Sequence, residues 1–152
     1  MKKFIIVIFL LTIPLITQAT LQEPSWREGL YWKYNVIYFS PSTALYNLTI
    51  KIEDREIIEV EGESYKVWNL SYESNARRIG NRNVYVSTKN FSVVEEIYMG
   101  KAMNIYSPPK PFIEYGHEVG SKWEYKYEIK QYVENKLISN RTVKVNSSCI
   151  SI

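Results

Sequence analysis

Few residues of this chain have the types and spacing that could do chemistry. The single His, His117, stands in Glu114-Tyr115-Gly116-His117-Glu118. On a helix Glu114, His117 and Glu118 would share one side, and two carboxylates with an imidazole can ligate a divalent metal. Pro111, Gly116 and Gly120 around them predict a turn instead, and zinc sites ordinarily use more nitrogen or sulfur donors, so no metal site is expected. One His, one Cys (Cys149) and one Asp (Asp54) leave no Ser-His-Asp or Cys-His-Asn triad. Glycoside hydrolysis needs only two carboxyls at a set separation, yet the adjacent Glu95 and Glu96 would point to opposite faces of a strand. The six Gly stand singly, without a phosphate-binding loop. The chain therefore reads as non-catalytic, with no catalytic residue and no cofactor.

The aromatic residues are the remaining signal. Trp32, Tyr34 and Tyr38 alternate along one segment, and Trp123, Tyr125 and Tyr127 along another. As inward stripes on two neighbouring strands they would either fill a core or line a cleft, where rings carry an apolar chain or a sugar and hydroxyl and indole N–H groups fix its orientation. The residues expected to bind a ligand are Trp32, Tyr34, Trp123, Tyr125 and Tyr127. The reverse side of the first stripe, Tyr31, Ile37 and Phe39, is also apolar, which predicts burial on both sides or contact with a partner. Arg77, Arg78 and Arg82 cluster around Gly80, as a solvated loop or as a contact for an acidic partner or lipid headgroup.

The elements that must position these residues read as strands. Thirteen Tyr and four Trp accompany many Ile and Val in a chain of 152 residues, a composition that packs well on a pleated surface. Strands are predicted over 29–39, 45–53, 56–61, 65–72, 83–88, 91–99, 122–133 and 138–146. Breakers separate them at Pro41, Gly62, Gly80-Asn81, Lys89-Asn90, Gly100 and the run Ser107-Pro108-Pro109-Lys110-Pro111. The clearest strand starts at Lys122. Trp123, Tyr125, Tyr127 and Ile129 take one face there, and Lys122, Glu124, Lys126, Glu128 and Lys130 take the other. A helix fits only around 24–29 and 53–61.

Two parts of the chain look alike. Gly29-x-x-Trp32-x-Tyr34 matches Gly120-x-x-Trp123-x-Tyr125, and Asn47-Leu-Thr-Ile-Lys-Ile matches Asn140-Arg-Thr-Val-Lys-Val in the same order. Such paired boxes predict an internal repeat, with a first copy over 29–119 and a partial second copy over 120–152. The second copy either completes the sheet begun by the first or is cut short relative to longer relatives. The expectation is one all-β domain over 20–152, an antiparallel sandwich or a curved half-barrel. An apolar leader followed by Gly-x-x-Trp-x-Tyr strand openers and a Pro-Pro linker resembles secreted or surface β-proteins of archaea. More distantly it looks like the bacterial lipoprotein carriers, whose curved half-barrel holds an apolar ligand. That resemblance implies lipid carriage; the carriers' helical lid has no counterpart in this sequence, and no binding residue is carried over.

Residues 1–19 have the zones of a signal peptide: Lys2 and Lys3, an apolar core over 4–16, and Thr17-Gln18-Ala19 as a small-residue cleavage site before Thr20. The apolar run is shorter than the ~20 residues that span a bilayer, so cleavage is expected, with an uncleaved N-terminal membrane anchor as the alternative. Loss of the leader takes the formal charge from +3 to +1. A near-neutral secreted chain excludes nucleic acid as the partner; a lipid, a glycan or a cell-surface protein remains. One Cys allows no internal disulfide, so the fold must rest on its core or on a partner through Cys149. Five Asn-x-Ser/Thr sequons, at Asn47, Asn69, Asn90, Asn140 and Asn146, predict a glycoprotein in a host with that machinery. Together these observations predict a secreted or cell-surface binding domain; the alternative is a structural or assembly component of the cell surface.

Overall fold

The computed structural model describes residues 25–38, 44–76, 80–98, 101–112 and 120–148. They form eight antiparallel strands: β1 (Tyr31–Tyr38), β2 (Ala44–Val60), β3 (Glu63–Ser74), β4 (Arg82–Ser87), β5 (Ser92–Tyr98), β6 (Ala102–Pro111), β7 (Lys122–Val133) and β8 (Lys136–Ser148). All eight belong to one sheet, in the order of the chain from β1 to β8. The architecture is all-β and a single curved sheet not closed into a barrel, which settles the two expectations against a sandwich. The leader, the Glu114-His117-Glu118 group, Arg77, Arg78, Phe39, the Tyr38 side chain and Cys149 lie outside the described residues.

Curvature is visible in one long-range contact. Glu61, at the turn between β2 and β3, lies 2.6 Å from Lys130 on β7. In a flat sheet four strand spacings of about 4.8 Å would separate those strands by roughly 19 Å. Curling puts the two sheet faces to different use. Ile52, Trp68, Leu70, Tyr72, Val84, Val86, Val93, Tyr106, Tyr127 and Ile129 form the larger core on what we call the aromatic face. On the opposite face Val60, Val67, Val94 and Ile105 form a smaller one.

Three local findings differ from the sequence reading. Residues 53–60 are strand, not helix, with Glu61 in the turn that follows, and no helix occurs among the described residues; the strands expected over 45–53 and 56–61 are one strand, β2, interrupted by a bulge at Glu53 between the pairs Ile52–Leu70 and Asp54–Asn69. At the bulge the Glu53 carboxylate accepts hydrogen bonds from Lys51 and Ser71, which hold its pKa below the usual value. The Pro-rich run expected as a breaker is part of β6. Pro108 and Pro109 are tolerated because pairing with β5 jumps from Val93–Lys110 to Glu95–Ile105 and pairing with β7 ends at Ser107, leaving both opposite neither neighbour. β1 is an edge strand, and Tyr31 and Ile37 are about half exposed, so burial on both sides is not what the segment achieves.

The hairpin turns follow from backbone chemistry. Glu61-Gly62 and Glu134-Asn135 both carry two successive positive φ angles, the geometry that matches the twist of a two-residue hairpin. Gly62 at φ 85° meets no steric cost there, whereas Glu134-Asn135 relies on the tolerance of Asn for that region.

Glu95 and Glu96 do face opposite ways, and both are buried. On the opposite face Glu95 shares a row with Asn69, Tyr85 and Ile105, and burial pushes its carboxyl pKa up. A folded-state value above the unfolded one means that the folded chain holds this proton more tightly, so the cost of burial is absent below the ordinary 4.5 and grows as pH rises through the folded value. Glu95→Gln is expected to raise the denaturation midpoint at pH 7 and to leave it nearly unchanged at pH 4. An equal gain at both pH values would show that burying the charge is not the cause.

Candidate functional site

The two aromatic stripes are not on neighbouring strands. β1 lies at one edge of the sheet and β7 next to the other edge, with five strands between them. The matched boxes form hairpins in both cases, β1 with β2 and β7 with β8, but in different registers. Trp32 faces Ile50, whereas Trp123 faces Ser147, and Val143, the counterpart of Ile50, faces Tyr127. What brings the stripes together is the shared face: Trp32 and Tyr125 both pack against the larger core, and Tyr127 belongs to it.

Trp26, just before β1, occupies the centre of that face. Its ring meets Phe91 at 5.0 Å, Phe112 at 6.0 Å, and Trp32 and Trp68 each at 6.3 Å between centroids, all edge-to-face. Two backbone hydrogen bonds of 2.8 Å, from Gly29 N–H to the Ile52 carbonyl and from Ile52 N–H to the Leu30 carbonyl, tie the segment to β2. Gly29 adopts φ 77° to make that approach. Beside Trp26 an apolar cavity of about 260 Å³ is lined by Trp26, Trp32, Tyr34, Ile50, Leu70 and Phe112. Tyr34 is 45% exposed and forms its open side. Tyr125 and Tyr127 stack at 6.1 Å, and Tyr127 meets Tyr106 edge-on at 5.9 Å. Trp123 is half-buried farther along β7 and engages other groups. The structure thus gathers Trp32 and Tyr34 at one cavity, and places Tyr125 and Tyr127 on the same face but outside its lining.

A buried polar cluster lies on the same face. The Glu96 Oε2 accepts hydrogen bonds from the Tyr98 hydroxyl at 2.6 Å and the Tyr106 hydroxyl at 2.9 Å, while Lys110 Nζ stands 3.7 Å from Oε1 and 4.7 Å from the centre of the Tyr106 ring. Arg82 stacks on Tyr72 at 4.4 Å and on Tyr98 at 5.7 Å. Burial, then the Glu96 carboxylate, pushes the Tyr98 pKa up to about 12, and burial does the same for Tyr72. Tyr106 is raised further by burial and Glu96. All three values exceed the unfolded value of 10.0, so their protons stabilise the fold fully below pH 10, and that contribution is lost as pH rises through the folded values. A spectrophotometric alkaline titration is therefore expected to show at least these three tyrosines ionising late and together with unfolding. Complete, reversible ionisation near pH 10 with near-UV dichroism intact would contradict the cluster.

Sequence reading missed Trp26, Phe112, Glu96, Tyr98 and Tyr106. Trp26 and Phe112 sit outside the alternating patterns, and a Glu inside a valine-rich strand was the one available sign of a buried acid. The sequons are placed unequally. Asn47, Asn90, Asn140 and Asn146 are exposed, whereas Asn69 is half-buried in the sheet interior with a fully buried Oδ1. By register Asn47, Asn140 and Asn146 project from the face opposite the aromatic one. No protein-family model, curated protein or solved structure matches this chain.

Proposed function

We propose that this protein is a secreted or cell-surface, non-catalytic β domain that binds an apolar ligand on its aromatic face. The observation that carries the reading is the cavity between Trp26, Trp32, Tyr34, Ile50, Leu70 and Phe112. At about 260 Å³ it approaches the lower end of small-ligand pockets, which begin at roughly 300 Å³, and so suits a ring or a short stretch of acyl chain. The side-chain polar groups that its lining residues carry are the Tyr34 hydroxyl and the two indole N–H groups, which suit orientation more than chemistry. The leader supports delivery outside the cytoplasm, and the exposed sequons opposite the aromatic face would keep glycans away from the ligand.

Titration with a fluorescent short-chain fatty acid, read by quenching of Trp emission, tests the reading. Binding is expected in the micromolar range, and Tyr34→Ala is expected to weaken it about fivefold with little change in the unfolding midpoint, since Tyr34 is nearly half exposed and a deleted ring contact is worth about 1 kcal/mol. Equal loss of binding and of folded protein would sink the cleft. The rival reading, a subunit of a surface assembly, draws on the open edges of β1 and of the 13-residue β8. It requires self-association, and a ligand-binding monomer at high concentration would argue against it.

A further inference from the structure

A second cavity lies on the opposite face. Its volume is about 360 Å³, and it sits where the turn between β2 and β3 curls over β5 and β6. Val60, Val94 and Ile105, all buried, form its floor; Tyr65 and Pro109 flank it, and Glu61 and Glu63 stand at its rim. No cationic side chain is among these lining residues. Lys130, outside the lining, reaches Glu61 at 2.6 Å, and the Tyr65 hydroxyl donates to Glu63. Each carboxylate keeps unused lone pairs, because a carboxylate can accept about four hydrogen bonds.

We propose that this cavity is a binding site for a primary alkylammonium or arylalkylammonium cation, with its apolar body on Val60, Val94 and Ile105 and its ammonium on Glu63 and Glu61. An anion would meet two carboxylates across the rim, and a neutral alcohol would bring one donor where the rim offers acceptors. An ammonium brings three donors and a charge, and N–H donors to a carboxylate make the stronger class of hydrogen bond. The volume falls within the range of small-molecule pockets, about 300–1,000 Å³. The Tyr65 proton is held by Glu63, which with burial raises the hydroxyl pKa to about 12, so the phenol keeps the acid oriented toward the rim across the physiological range.

Hexylamine, hexanol and hexanoate form a matched probe series that requires no variant. With the full chain, hexylamine is expected to shift the methyl resonances of Val94 and Ile105 and to bind at least about tenfold tighter than hexanol, with hexanoate weaker still. Glu63→Gln is expected to bring the amine down to the affinity of the alcohol. Lys130→Met, which releases Glu61 from its ion pair, is expected to tighten amine binding about threefold at low salt. Glu63 is exposed at the start of β3 and the Lys130 side chain is about a quarter exposed, so unchanged circular dichroism accompanies these effects. The proposal is overturned if the alcohol binds as well as the amine, if Glu63→Gln leaves the amine unaffected, or if the methyls do not move. No Trp lines this cavity, so Trp emission stays silent here and reports only on the aromatic face, and each site can fail alone.

Discussion

Trp26→Ala is expected to cost about 3 kcal/mol, at the low end of the range for deleting a packed Trp because the ring is only half-buried. The residue belongs to no strand, yet it joins β1 through Trp32, β3 through Trp68, the start of β5 through Phe91 and the end of β6 through Phe112. Those four contacts span most of the width of an open sheet, against which no second sheet packs among the described residues. A single sheet can exclude water from one of its faces only if something covers that face, and on the aromatic face a short segment before the first strand does so. Trp26→Ala would leave an enlarged cavity between Trp32, Leu70 and Phe112, and Trp26→Phe would restore part of the packing at a cost of about 1 kcal/mol. Urea denaturation of both variants measures the difference. A loss below about 1 kcal/mol for Ala would mean that the segment merely rests on the sheet and does not belong to its core.

This dependence on a short segment explains what could and could not be read in advance. β7 was legible from its first residue to its last, because alternating rings and charges over Lys122 to Lys130 admit only one period and one buried face. Gly62 was legible as a hairpin turn because two successive positive φ angles favour Gly. β6 was not legible, since nothing in Ser107-Pro108-Pro109 says that both neighbouring ladders leave those positions unpaired. Nor does similarity between two hairpins fix their places in a sheet. The boxes at Trp32 and Trp123 share residues, but the strands pair in the order of the chain from β1 to β8, which carries the two copies to opposite sides of the sheet. Of the aromatic site, Trp32 and Tyr34 were legible as an inward pair, while Trp26 and Phe112 depend on contacts between residues far apart in the chain. The same limit hid Glu96, whose neighbours Tyr98, Tyr106 and Lys110 converge only once β5 and β6 pair.

Glu96→Ala is the other substitution expected to have a large effect, about 3 kcal/mol, because it removes one partner of a buried charged pair and leaves two phenol hydroxyls without their acceptor. The side chain is only 9% exposed, so water cannot readily replace the lost bonds. Lys110 would suffer least, since it is more exposed and retains its place over the Tyr106 ring. The three acidic and phenolic groups act as a unit, which makes the energies non-additive in a predictable direction. Tyr98→Phe and Tyr106→Phe should each cost about 1 kcal/mol when Glu96 is present and almost nothing, or even a gain, when it is Ala. A double-mutant cycle on Glu96 and Tyr106 reads that coupling directly, with a value near 1 kcal/mol expected. Additive losses would show that the hydroxyls find other acceptors once Glu96 is gone. Glu96→Leu separates charge from volume: by filling the space it should cost less than Ala while still stranding both hydroxyls, and a Leu variant as stable as the parent would mean that this carboxylate contributes specificity to the aromatic face and no net stability to the fold.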